Sequence, residues 1–298
     1  MADHLTDGSA LARVRSSLLA WYAADHRDFP WRRTTDPYAV LVSEVMLQQT
    51  QASRVARRFP AFMDRFPTAA SLAAAPEADV LAAWSGLGYN RRALALRRAA
   101  VVVSEGWPRD VASLERLPGI GPYTARALAS LAFGEPVGVV DTNVRRWLVR
   151  RFGHSTAARP RDLQILADAL ARAGDAAHAA PWTHATMEFG AAICTSRNPR
   201  CDACPIANGC PSRGIAGTVP VPREATFAGS DRALRGAILR ALSEARGNAV
   251  TTRAARQLLP ESAFDRIVAA LERDGLLHRS RGSLLLGGRR KPAATIGP

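Results

Sequence analysis

Apolar residues recur at three- and four-residue spacing over 10–22, 38–55, 70–83, 93–104, 123–133, 142–152, 161–173 and 182–194, and each stretch predicts a helix with one face turned to a core. No run of alternating strands interrupts them before residue 210, so this part of the chain reads as all-α. Asp36-Pro37 supplies a cap and first turn for the second helix, and Pro108, Pro118, Pro136, Pro160 and Pro181 fall between others. After Cys210 the stretch PSRGIAGTVPVPREATFAGS reads as a linker. From Asp231 the pattern changes to helices at about 231–245, 253–259 and 261–274, stopped by Gly275. Two short apolar segments, 276–278 and 284–286, then flank Ser280-Arg281-Gly282. Three helices followed by a hairpin predict a small winged-helix-like α+β domain. The expected division is therefore a helical domain over 1–215, a linker over 216–230 and the winged-helix-like domain over 231–298.

Composition adds a partner class. With 47% hydrophobic and 22% charged residues among 298, the chain must fold, so its net charge of +14 sits on a folded surface. Nucleic acid or an anionic membrane is the expected partner. No run of 18 apolar residues offers a membrane span and the N-terminus has no secretory apolar block, so a soluble, cytoplasmic protein is expected. Of the 40 basic residues, Lys291 is the one lysine; the rest are arginine.

All four cysteines, Cys194, Cys201, Cys204 and Cys210, fall in one segment spaced C-x6-C-x2-C-x5-C. That clustering points to one metal site rather than a disulfide framework. Three unequal short loops around one centre suit an iron–sulfur cluster, with zinc as the open alternative. Arg197, Arg200 and Arg213 give the segment a basic rim, suited to phosphate or simply solvated.

Three further places carry candidate chemistry. In Leu117-Pro118-Gly119-Ile120-Gly121-Pro122-Tyr123, Gly119 and Gly121 precede a helix start, where the backbone can approach a phosphate closely. Such a hairpin holds DNA without reading sequence, although an ordinary helical turn can share the composition. Asp141 ends the apolar run 137–140 and precedes a helix, as a cap or as a carboxylate presented from a rigid start. Glu44 stands among Val40, Leu41, Leu47 and Gln48 on its helix; an apolar setting would raise its pKa and suit a general acid, while an exposed Glu on an amphipathic helix is the plain alternative.

Taken in this order, the hairpin, the approach to Asp141 and the cysteine loop resemble the endonuclease III and MutY superfamily of DNA glycosylases over residues 29–210. The segments Phe29-Pro30-Trp31-Arg32, 43–51, Gly86-Leu87-Gly88-Tyr89 and Asp141-Thr142-Asn143-Val144 resemble its adenine glycosylase branch. The resemblance implies a helix–hairpin–helix glycosylase fold, with a six-helix part at about 31–145 and an iron–sulfur part built from the N-terminal helix and 146–215. It assigns the four cysteines to a 4Fe-4S cluster. The implied partner is double-stranded DNA carrying A/8-oxoguanine or A/G mispairs, bound by a monomer without membrane contact.

Residue by residue, the resemblance implies that Glu44 protonates N7 of a flipped adenine. Asp141 stabilises the sugar cation, Tyr123 supports it, and Asn143 is a polar member of the same site. Arg27, Trp31, Arg32, Leu47 and Glu188 line the adenine pocket, and Gln48 probes the duplex; for Trp31 and Leu47 core packing is the competing role. Tyr89 is followed by Asn90 where the family often has a second tyrosine. Residues 231–298 are too short for the Nudix-like domain that many members use against 8-oxoguanine. For this module the expectation is that its third helix, with Arg266 and Arg273, contacts duplex DNA or helps to discriminate the lesion strand. The alternatives are a thymine or uracil mismatch glycosylase of the same superfamily and a non-catalytic iron–sulfur DNA-binding regulator.

Overall fold

The computed structural model describes residues 8–153, 158–174, 178–215 and 229–288; Lys291 and most of the expected linker lie outside them. Fourteen α-helices are found among the described residues. They are α1 Gly8–Ala24, α2 Pro37–Leu47, α3 Ala52–Arg65, α4 Ala69–Ala74, α5 Glu77–Ala83, α6 Arg91–Val103 and α7 Val111–Glu115. There follow α8 Pro122–Phe133, α9 Thr142–Phe152, α10 Pro160–Arg172, α11 Ala179–Ala192, α12 Asp231–Glu244, α13 Thr252–Arg256 and α14 Glu261–Arg273. Among the described residues strands occur in the C-terminal module alone, so the helical reading with a small α+β appendage holds.

Two expected helices are divided. The stretch 38–55 breaks after Leu47: Gln49 takes a left-handed φ of 52°, and α3 then runs on to Arg65 through Pro60. The stretch 70–83 breaks at Ala75-Pro76, because proline disfavours helical φ/ψ in the residue before it. α2 is buried all round from Tyr38 to Met46, which an element with no polar face requires.

The chain makes two compact units, one of residues 1–44 with 108–223 and one of 45–107 with 224–298. In the first, α1 packs on α10 and α11, α8 on α7 and α11, and α9 on α10 and α11. Its core joins Leu11, Leu18, Trp147, Leu163, Trp182 and Phe189. Gly190 permits the close approach of α11 to α9: a Cβ there would stand 2.8 Å from the Cβ and carbonyl oxygen of Asn143.

In the second unit the C-terminal module forms the sheet β1 Ala249–Thr251, β2 Leu277–Ser280 and β3 Ser283–Leu286, antiparallel throughout, in the order β1-β3-β2. Arg281 and Gly282 close the β2–β3 hairpin with φ of 44° and 77°, as a two-residue turn of this twist demands. Strand β1 was not expected; three residues are too few to show alternation. The module docks on α5, where Gly288 N–H donates to Glu77 Oε2 at 3.2 Å.

Candidate active site

In the first unit, Glu44 is only 3% exposed because the side chains around it on α2 are apolar and buried. The Tyr123 hydroxyl, one residue inside α8, lies within hydrogen-bonding reach of the Glu44 carboxyl and also stands 3.8 Å from Met187 Sδ. Burial, which outweighs the contact with Tyr123 and is reinforced by the charge of Asp141, pushes the Glu44 carboxyl up to about 7. Burial likewise holds the Tyr123 phenol far above its ordinary range, so it stays a neutral donor. The plain alternative of an exposed Glu44 is thereby excluded.

Asp141 has both carboxylate oxygens engaged at the start of α9. Oδ1 accepts from Val144 N–H at 2.6 Å, and Oδ2 from the Asn143 amide at 2.9 Å. It is the N-cap of α9, as expected, and its charge also acts on Glu44. The run leading to it is pinned by Asp168, which accepts from Gly138 N–H at 2.8 Å, and by Arg126, which donates to Gly138 O at 2.7 Å. Arg146 donates to Asn143 Oδ1 at 3.0 Å and to the carbonyl of Cys194 at 2.8 Å. Sequence reading passed over Arg146, since its arginine neighbours on α9 give it no distinguishing mark.

Glu188 on α11 is 1% exposed and takes a two-pronged bond from Arg27, at 2.6 and 3.0 Å, with a further bond from Arg32 at 2.8 Å. Burial alone would raise its carboxyl, but the two arginines outweigh it and hold it below the usual range. Trp31 is buried and stacked on Phe29, with centroids 4.8 Å apart. Arg27, Arg32 and Glu188, expected at the adenine pocket, thus form one cluster, which Trp31 joins through Phe29, whose ring lies 5.3 Å from the Arg27 and 5.0 Å from the Arg32 guanidinium. Because removing one member of a buried pair leaves uncompensated charge, Glu188→Gln is expected to cost about 3 kcal/mol of stability. Arg27 is half-exposed, which keeps the loss at the low end. An unshifted urea midpoint would refute this.

At the hairpin, Gly119 has a φ of 78° and is exposed, while no atom stands within 4 Å of a Cβ at Gly121. Gly121 caps α8 with Pro122 in its first turn, leaving the backbone open to an anion. Leu47, Gln48 and Tyr89 belong to the second unit. There Tyr89 is exposed with a φ of 48°, and Leu47, the last residue of α2, and Gln48 just after it are partly buried. Arg92, which sequence reading did not single out, donates to the carbonyls of Val45 at 2.8 Å, Met46 at 3.2 Å and Gly88 at 3.1 Å. It also bonds Gln48 O, tying the end of α2 to the loop before Tyr89.

The four cysteines line one pocket in the first unit with Trp147, Ile193 and Ile206. Arg150 donates to Cys194 Sγ at 3.5 Å and Gly214 N–H to Cys201 Sγ at 3.5 Å. Four soft donors around one apolar space, with N–H groups directed at two of the sulfurs, fit an iron–sulfur cluster. As a free thiol Cys204 would be pushed up to about 11 by burial, so iron binding must displace protons. Arg200 and Arg213 both line this pocket, and Arg213 also lies 3.7 Å from Asp202.

The scaffold belongs to a class of base-excision DNA repair proteins. Residues 42–172 match the family model of the HhH-GPD superfamily base excision DNA repair protein, and 194–210 that of the iron-sulfur binding domain of endonuclease III. The chain is 46% identical over 238 residues to the adenine DNA glycosylase of Mycolicibacterium smegmatis, covering 76% of this chain and 79% of that protein. It is 40% identical to the human adenine DNA glycosylase over 224 residues, 70% of this chain and 40% of that one. Among solved structures, a thermostable thymine-DNA glycosylase superposes with a TM-score of 0.62 at 30% identity, over 69% of this chain and 98% of that one. An endonuclease III–DNA covalent intermediate shares the fold, with a TM-score of 0.55 at 22% identity over 66% and 92% of the two chains. The chain belongs to the adenine DNA glycosylase family. Its partner is DNA and its cofactor a 4Fe-4S cluster, the matched iron–sulfur segment 194–210 containing all four cysteines. No helix among the described residues is long and apolar enough to cross a membrane.

Proposed function

We propose that the protein is a monofunctional adenine DNA glycosylase that hydrolyses the N-glycosidic bond of adenine mispaired with 8-oxoguanine or guanine. It acts as a cytoplasmic monomer, with residues 1–215 as the glycosylase domain and 231–298 as the winged-helix-like domain. The observation that carries this reading is Glu44: a buried carboxyl poised near 7, bonded to Tyr123 and facing the charge of Asp141.

The base first leaves the stack. The hairpin at Gly119 and Gly121 holds backbone phosphate, and Arg27, Trp31, Arg32 and Glu188 line the flipped adenine, to which the family resemblance also assigns Leu47. Gln48 and Tyr89 occupy the duplex where it has left. Protonated Glu44 gives its proton to N7, so the C1′–N9 bond breaks with its electron pair going to a neutral leaving base. The ionised Asp141, oriented by Val144 N–H and Asn143, faces the sugar cation, and Tyr123 supports it. Water adds to C1′ and its proton returns to the site carboxylates. When bound, the cluster serves as a charged structural tie for residues 194–210. Arg146 connects that segment to Asn143.

A lyase of endonuclease III type needs a lysine for a Schiff base. Here the hairpin position is Tyr123, and Lys291 is the lone lysine of the sequence. The thymine glycosylase likeness keeps a thymine reading in view, and substrates separate the two. Single-turnover assays on A/G, A/8-oxoguanine, T/G and U/G duplexes should release adenine, with no borohydride-trapped crosslink. Thymine or uracil release without adenine release would overturn the proposal, and a strong crosslink would overturn its monofunctional part.

A further inference from the structure

Within the second unit a cleft of about 1010 Å³ opens between the loops following α2 and α5 and one side of α12. Its lining includes Arg54, Arg91, Arg92, Arg232, Arg235 and Arg240 and no aspartate or glutamate. The volume lies at the upper limit for small-molecule pockets, and a lining of one sign focuses a positive field. The expected occupant is a segment of a polyanion.

The six arginines are not equally committed. Arg92 is spent on backbone carbonyls, and Asp274 pairs with Arg235 and, at 3.7 Å, with Arg91. Arg54 and Arg240 are exposed, with no carboxylate partner among the described residues. Arg232 donates to the Tyr89 hydroxyl at 2.9 Å and stands 5.9 Å from the ring centroid, linking α12 to the loop that carries Tyr89.

The neutral part of the lining narrows the polyanion further. Gln48, Gln49 and Asn90 carry amides of the kind that bond base edges, and the exposed Tyr89, with the Arg92 and Arg232 guanidiniums 5.4 and 5.9 Å from its ring centroid, adds an aromatic side chain of the kind that stacks on bases. Phosphate, base-edge and stacking chemistry in one cleft describe nucleic acid. The wall formed by α12 is also fixed, since its module is tied to α5 by the Gly288–Glu77 bond, and a Cβ on Gly287 would come 3.3 Å from Ala78 N.

We propose that α12 forms one wall of a DNA-binding cleft, with Arg232 and Arg240 contacting backbone phosphates of the duplex segment that meets Tyr89 and Gln48. This rests on DNA as the partner and extends the binding surface to the C-terminal module. It replaces the expectation that the third helix of the module, α14, meets the duplex. Arg266 ion-pairs with Asp231, and neither Arg266 nor Arg273 lines the cleft.

The test measures affinity for a fully paired duplex, which does not depend on any base being excised. In the full-length, cluster-loaded protein, R232Q/R240Q is expected to raise Kd about tenfold at 0.15 M salt. It should also lower the slope of log Kd against log salt by about two, and R240Q alone by about one. R273Q should bind like the parent. Parental affinity and slope in R232Q/R240Q, or an equal loss in R273Q, would overturn the proposal. Thermal unfolding and iron content of each variant guard against misfolding. A protein that released no adenine yet showed the Arg232/Arg240 dependence would lose the glycosylase reading and keep the cleft.

Discussion

Glu44→Gln is expected to reduce single-turnover release of adenine by about 10³-fold while duplex affinity stays within a factor of two. Glutamine keeps the shape and can still accept from the Tyr123 hydroxyl, but it has no proton to give, and a positioned acid contributes about 10²–10⁴-fold. The pH dependence has a definite sign. The carboxyl is raised from 4.5 to about 7, so the active acid form predominates below pH 7 and the rate should fall about tenfold per unit above it. Glu44→Gln should show no such fall.

Stability moves with the same group. Between the unfolded value near 4.5 and about 7 the folded state binds the extra proton, so the parent loses stability as pH rises through that window, by about 3 kcal/mol. The glutamine variant should lack this loss and be at least as stable as the parent at pH 8. Parental excision rates in Glu44→Gln would remove the acid from the mechanism; an unchanged pH profile of stability would remove the buried proton.

Both the acid and its setting left a partial trace in the sequence. The run Val40-Leu41-Val42-Ser43-Glu44-Val45-Met46 has no polar face, which is the signature of a helix buried on all sides, and a carboxyl in such a helix cannot be solvated. The end of that helix was less legible. Its carbonyls at Val45, Met46 and Gln48 are taken by Arg92, more than 40 residues later, and no local pattern announces a cap supplied from so far away. Likewise Arg27 and Glu188 stand 161 positions apart; family resemblance, and not spacing, joined them. The four cysteines were the opposite case, since their clustering carried the site whatever the fold. The C-terminal module was legible as an architecture but not as a surface. Which helix lines a cleft depends on how the module packs against α5, and amphipathic periodicity marks the buried face without saying what lies beside the exposed one.

Asp141 tests whether one side chain performs two separable duties. As the N-cap of α9 it bonds Val144 N–H at 2.6 Å, and as a carboxylate it places negative charge where the sugar becomes cationic. Asp141→Asn preserves an oxygen for the cap and removes the charge. Excision should fall about 10²–10³-fold, the scale for losing one preorganised electrostatic partner, with a thermal midpoint close to the parent's. Asp141→Ala removes both. It should show at least the same kinetic loss and, because a lost cap costs about 1 kcal/mol, a midpoint about 2–4 °C lower. If Asn143 orients the carboxylate, as its 2.9 Å bond to Oδ2 implies, Asn143→Ala should slow excision by a smaller factor in the parent and by nothing further in Asp141→Asn. A parental rate in Asp141→Asn would mean that α9 needs the cap and the reaction does not need the charge. Equal midpoints for the Asn and Ala variants would mean the reverse, that the residue is held there for its charge alone.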